Sequence, residues 1–263
     1  MELFSGITLV SALLYIIIGF AVAVFGTLIG AGGGIIFVPL FLWMFDWPPT
    51  AIAGTSLAIV LFNAISASLA FNKQKKIKYD AAIPFAAATI PGSILGAMWS
   101  NWFTGSTFRT AFGLLLLFIS LVIIWKNTRK SAAKYDVNVD PKDVKVNIPL
   151  GIGVSFCIGF ISSTFGIGGG VIQVPAMIGF LGFPPHIATA TSQFVLAISS
   201  LIGVVSHQWE QHILWGYAIC FGIGAIFGAQ EGAKISKKVK GRSILFLLAG
   251  ALMLVALRLI FLS

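Results

Sequence analysis

Gly30-Ala31-Gly32-Gly33-Gly34-Ile35-Ile36-Phe37-Val38-Pro39 returns 136 residues later as Gly166-Ile167-Gly168-Gly169-Gly170-Val171-Ile172-Gln173-Val174-Pro175. The same ungapped offset pairs Pro48-Pro49 with Pro184-Pro185, Thr55-Ser56 with Thr191-Ser192, and Gly92 and Gly96 with Gly228 and Gly232. One shift holding four separate clusters signals a duplication. The chain divides into an N-terminal repeat, 1–125, a polar linker, 126–147, and a C-terminal repeat, 148–263.

Around the repeated glycines the chain is apolar. Of its 263 residues 58% are hydrophobic and 10% charged, with a mean hydropathy of +0.99. A soluble domain carries about 25% charged residues, so a water-facing globule is excluded, and disorder with it. The net charge of +9 would suit a nucleic-acid surface only if the charges shared one face. They are instead sequestered between long apolar runs, so no nucleic-acid partner is expected.

Those runs cover 7–29, 50–71, 80–102, 108–125, 148–165, 186–206, 213–233 and 243–262, close to the roughly 20 residues a spanning helix needs. Two shorter runs, 35–47 and 171–183, follow the glycine clusters and lead to the Pro-Pro pairs. Each reaches only about 20 Å as a helix, so it either re-enters or completes a broken crossing. Cys157 and Cys220 lie inside apolar stretches without Cys/His spacing, and no metal, cofactor or catalytic group is expected. Met1-Glu2-Leu3-Phe4 lacks a basic leader region, so the first run is expected to remain as a span.

Charge placement predicts orientation. Fifteen of the seventeen basic residues fall in 72–79, in the linker and in 234–242, leaving Arg109 and Arg258. Loops rich in Lys and Arg stay cytoplasmic. Under the repeat shift, 72–79 corresponds to 208–215 and 234–242 to 98–106, neither holding Lys or Arg. Equivalent loops of opposite charge belong on opposite sides, which requires an odd number of crossings per half. The expectation is an all-α polytopic membrane protein of two inverted-topology repeats. Each has about five membrane segments, with Gly-broken helices meeting near the midplane and both termini outside. Four crossings per half would place equivalent loops on the same side.

Consecutive glycines between apolar segments should unwind the helix and expose amides, and non-helical backbone at membrane depth is tolerated only where buried or water-lined. The half-helix after the break offers free N–H groups and the positive end of its dipole, an arrangement that favours an anion. Paired breaks in equivalent positions point to a transporter's central site. The alternative use of such glycines is close helix packing. Expected substrate-binding residues are Gly32, Gly33, Gly34, Thr55, Ser56, Asn63, Gly168, Gly169, Gly170, Gln173, Thr191, Ser192 and Gln193. Their hydroxyls and amides can hold an oxyanion without fixed charge, or equally satisfy backbone groups near the breaks. Gln173 stands where the first half has Phe37, a hint of asymmetry. Glu231, deep in an apolar run, is either a proton-coupling group or an interface carboxylate paired with a nearby lysine.

On Gly30–Pro39 with Gly54-Thr55-Ser56, and Gly166–Pro175 with Ala190-Thr191-Ser192, the chain resembles the TauE/SafE family of sulfite exporters. The resemblance covers nearly everything except the linker. It implies a bacterial inner-membrane, multi-pass carrier for sulfite or a related sulfur-containing anion, with the glycine loops and Thr-Ser pairs lining the substrate. Expected partners are a small anion and the bilayer, with a homodimer left open. A proton-coupled importer using Glu231 and a non-transporting receptor or assembly subunit are the alternatives. An intramembrane enzyme is disfavoured, since no Ser/His pair or metal-ligand spacing lies in the spans.

Overall fold

The computed structural model describes residues 7–103, 105–128, 140–144, 146–239, 246, 249–250 and 252–257. The linker cations Arg129, Lys130, Lys134 and Lys145, with Lys240, Arg242, Arg258 and part of the last apolar run, lie outside them. Among the described residues the regular structure is helical throughout: α1 (Leu9–Ile29), α2 (Gly34–Met44), α3 (Pro49–Lys73), α4 (Tyr79–Trp99), α5 (Gly105–Thr128), α6 (Ile148–Phe165), α7 (Gly170–Phe180), α8 (Pro185–Trp209) and α9 (Trp215–Ser236). Five stretches, Leu9–Ile29, Pro49–Lys73, Tyr79–Trp102, Ile148–Phe165 and Pro185–Trp209, are long and apolar enough to cross a membrane.

Helix boundaries follow local chemistry. Thr8 and Ser11 form a capping box that starts α1, and Asn147 accepts from the Leu150 N–H to start α6. Pro49 and Pro185, with φ already set for a first turn, open α3 and α8. Gly30 and Gly166, both left-handed, close α1 and α6.

The halves interleave rather than sit side by side. α1 packs along α9, and α4 along α6. The carbonyls of Ile16, Phe20 and Val24 lie where a Cβ on Gly224, Gly228 or Gly232 would stand, so α1 and α9 run parallel in contact. Phe156 and Phe160 meet Gly92 and Gly96 in the same way. Small residues give backbones the close approach that stabilises helix pairs where lipid supplies no hydrophobic drive. The 136-residue offset connects the two pairs: Phe20 and Gly228 become Phe156 and Gly92 with partners exchanged.

At the centre α3 crosses α8 antiparallel. Gly54 lies against His207 and Leu57 against Gly203, while Val60, Ala64 and Leu196 form a small apolar cluster of their own. Exchange holds here to single hydrogen bonds. The Thr55 hydroxyl accepts the Leu214 N–H at 3.1 Å, and the Thr191 hydroxyl accepts the Lys78 N–H at 3.1 Å.

Basic segments gather at one end of the bundle. The Gln74 side chain donates to the Ala233 carbonyl at 3.0 Å, and the Lys78 ammonium to the Pro141 carbonyl at 3.0 Å. These contacts tie 72–79 to the end of α9 and to the linker. The segment 208–215 lies at the other end, where the His212 and Leu214 backbones meet Gly54 and Thr55.

The short runs are half-length limbs. α2 doubles back along α1, with Gly33 beside Gly26 and Val22 and the Phe45 ring 6.2 Å from Tyr15. α7 begins likewise, with Gly169 against Ile158 and Ser162 of α6.

Candidate functional site

The unwound glycine segments face each other beside the α3–α8 crossing. Gly30, Gly32 and Gly33 have φ of 77, 74 and 87°, and Gly166 and Gly168 have 70 and 68°, so L side chains would be strained there. Gly34 abuts the Ile167 carbonyl, while Gly170 abuts the Gly30 carbonyl and Ala31. Gly32 and Gly168 both touch Val60 and Leu196. Gly169 is right-handed, with φ −58°.

These breaks leave amides unused. In the first half the Ala31 and Gly32 N–H groups both reach the Gly26 carbonyl. Among the described residues no acceptor meets the N–H of Gly33, Gly34 or Ile35, nor that of Gly168, Gly169, Gly170 or Val171, all buried. Buried backbone donors without partners are rare in folded proteins, and a row of them at a helix N-terminus forms a cradle for negative charge.

In the second half a narrow polar-lined gap adjoins that cradle. Thr89, Ile158, Gly169, Gly170, Gln173, Ser192, Val195, Leu196 and Ser199 line it, and it is nowhere wide enough to seat a water molecule. The Gln173 amide nitrogen donates to the Ser155 hydroxyl at 3.1 Å, and its carbonyl oxygen has no partner among the described residues. The Ser192 hydroxyl lies 3.1 Å from the Gly30 carbonyl and 2.9 Å from that of Thr189. Ser199 shares a hydrogen bond of 3.0 Å with Ser93. The lining holds no charged side chain, so its polarity is that of neutral dipoles.

The exchange-related place in the first half carries an aromatic ring together with the polar Ser56 and Asn63. Phe37 stands for Gln173, and its buried ring lies 5.9 Å from both Phe41 and Phe221. At the other lining positions Ala225 stands for Thr89, Ile59 for Val195 and Asn63 for Ser199.

Of the residues expected from the sequence, Gly169, Gly170, Gln173 and Ser192 line the gap. Gly168 adjoins it through Leu196, while Gly32, Gly33 and Gly34 belong to the opposite loop. Thr55 and Thr191 serve as acceptors for the first turns of α9 and α4. Ser56 is buried with its hydroxyl unpartnered, and the Asn63 carbonyl oxygen accepts from Thr27 at 2.9 Å. Gln193 is buried with both amide atoms unpartnered, outside the gap lining. Glu231 is half exposed at the basic end and paired with Lys234, so its geometry is that of the interface carboxylate. Among the described residues no cluster of metal-ligating side chains occurs.

Two polar lining residues escaped the sequence reading. Ser199 is the exchange mate of Asn63, so the offset itself could have found it. Thr89 corresponds to Ala225, and no repeat signal marks it.

The profile of the family described as "Sulfite exporter TauE/SafE" matches residues 15–259. A relative named "Probable membrane transporter protein YunE", from Bacillus subtilis, is 33% identical, covering 95% of this chain and 98% of its own length. "Probable membrane transporter protein MJ0441", from Methanocaldococcus jannaschii, is 28% identical over 91% of each chain. "Probable membrane transporter protein YfcA", from Escherichia coli, is 23% identical over 89% of this chain and 85% of its own. No solved structure matches the chain. With the family profile matched from Tyr15 to beyond the last basic loop, and a relative one-third identical along its whole length, the chain belongs to the TauE/SafE sulfite exporter family.

Proposed function

We propose that this protein is a carrier of the bacterial inner membrane that exports a small sulfur-containing anion, such as sulfite or an organosulfonate, by alternating access. One observation carries the reading: the buried, unpartnered amides of Gly168 to Val171 beside an uncharged polar gap. Neutral donors hold an oxyanion without the strong ion pair that would retard release. The membrane potential, negative inside, favours anion expulsion by about 2.3 kcal/mol per charge per 100 mV. A passive carrier therefore needs no coupling ion to export, which suits a gap without ionisable groups. Named relatives that are described as probable transporters support the same class.

The repeats are read as inverted in the membrane, with ten segments and the basic loops cytoplasmic. Support comes from the antiparallel crossing of the exchange mates α3 and α8, and from the gathering of basic segments at one end. α9 is outside the set of five apolar spans but packs parallel along α1, and is counted as a crossing. Single cysteines at positions 75 and 210 are expected to label from opposite sides of the membrane with an impermeant thiol reagent. Labelling from the same side overturns the inverted topology.

Reconstituted protein is expected to pass sulfite in a protein-dependent manner, with sulfate and chloride as comparison anions, and sulfite is expected to raise its unfolding temperature in detergent. A ligand that binds only the folded state raises apparent stability. Absence of protein-dependent flux for every sulfur oxyanion and sulfonate tried rejects the reading.

A further inference from the structure

A lysine in a basic loop is ordinarily solvated. The Lys78 side chain is only 8% exposed. Its ammonium donates to the Pro141 carbonyl at 3.0 Å, and the Asp80 carboxylate, itself 81% exposed, stands 3.7 Å away, beyond hydrogen-bond reach. An ammonium has three N–H donors, and among the described residues one carbonyl accepts from this one, so it has donors left to offer an anion.

The Lys78 backbone, rather than its ammonium, is tied to the helix that lines the gap. The Lys78 N–H meets Thr191, the neighbour of Ser192 in the gap lining. Ser192 lies about two turns into α8, whose first residue, Pro185, belongs to the basic end. The exchange-related residue is Leu214, whose N–H meets Thr55 at the far end in the same manner. At equivalent places the basic end of the bundle thus carries a cation and the opposite end an isobutyl group.

We propose that Lys78 is the loading residue of the carrier: its ammonium leaves the Pro141 carbonyl for the incoming anion at the basic-end mouth and passes it to the amides and hydroxyls of the gap, while Leu214 holds nothing back at the far mouth. The proposal rests on the anion-carrier reading and names the side chain that loads it. An accessible cation at a mouth raises local anion concentration, an effect that salt screens.

The test uses ³⁵S-labelled sulfite in inside-out and right-side-out membrane vesicles, at zero potential, with Lys78→Met and Lys78→Arg. Loading from the basic side is expected to half-saturate at a concentration about tenfold higher in Lys78→Met, as loss of one charge-assisted hydrogen bond predicts, and near wild type in Lys78→Arg. Maximal rate from that side should not fall in parallel. A lower maximal rate with unchanged half-saturation in Lys78→Met, uncorrected in Lys78→Arg, makes Lys78 a clip for the linker and overturns the proposal while the carrier stands. Should Lys78→Met not accumulate, the wild type decides by itself. Its basic-side half-saturation must rise with ionic strength more steeply than its far-side value, and equal salt dependence on both sides overturns the proposal. No sulfite flux by wild type in either vesicle removes the carrier reading and the proposal together.

Discussion

Gln173→Phe is expected to abolish transport while the protein remains folded. The ring would occupy the space beside the amides of Gly168 to Val171, where the anion is proposed to sit, as Phe37 occupies the equivalent place in the first half. Flux should fall by roughly 100-fold or more, because ring and anion compete for the same small volume. The cost to the fold is that of overpacking a tight site, about 1–3 kcal/mol. The Ser155 hydroxyl loses its partner, worth about 1 kcal/mol, and burial of an aromatic ring offsets it. Gln173→Ala separates filling the space from losing the amide, and should weaken sulfite binding about tenfold while flux persists. Transport by Gln173→Phe at the wild-type rate would move the site elsewhere.

The largest expected loss of stability is at the meeting of the two glycine segments. Gly170→Ala drives a methyl into the Gly30 carbonyl, and Gly34→Ala drives one into the Ile167 carbonyl, both backbone atoms that cannot rotate away. Each substitution should cost about 3 kcal/mol or more, a fall of roughly 10 °C in unfolding temperature for a chain of this size. Gly153, exposed on α6 with nothing within 4 Å of the place a methyl would take, is the control. Gly153→Ala should be neutral or stabilising by up to about 1 kcal/mol, since alanine is the better helix former. Purified protein in detergent, followed by thermal unfolding, distinguishes the three variants. Equal stability of Gly170→Ala and Gly153→Ala would mean that the segments do not touch.

The fold was legible in the sequence only in part. The offset of 136 was visible in glycines and prolines, and it persists in hydrogen bonds as fine as Thr55 with Leu214 and Thr191 with Lys78. Helix positions were legible too, because long apolar runs leave few other options in lipid. The contrast between Phe37 and Gln173 was visible, and it separates a ring-filled place from a polar-lined one. Neighbour relations were not legible. Nothing in a periodic apolar run says that α1 packs against α9 rather than α4, since every face is equally oily. For the same reason the partners of Thr55 and Thr191, distant in sequence, could not be named from the sequence. Lys78 was hidden by its company: among Lys73, Lys75 and Lys76, one buried cation has no distinguishing mark in sequence.

The pairing of α1 with α9 has a consequence for how the molecule is made. Ile16 and Gly224, which touch when folding is complete, are about two hundred residues apart along the nascent chain. At ~5–20 residues per second of synthesis, α1 waits roughly 10–40 s in the bilayer before its permanent neighbour emerges from the ribosome. Lipid tails or an insertion factor must shield its narrow face during that interval. A ribosome that stalls midway therefore releases a fragment that quality control can recognise by that face alone.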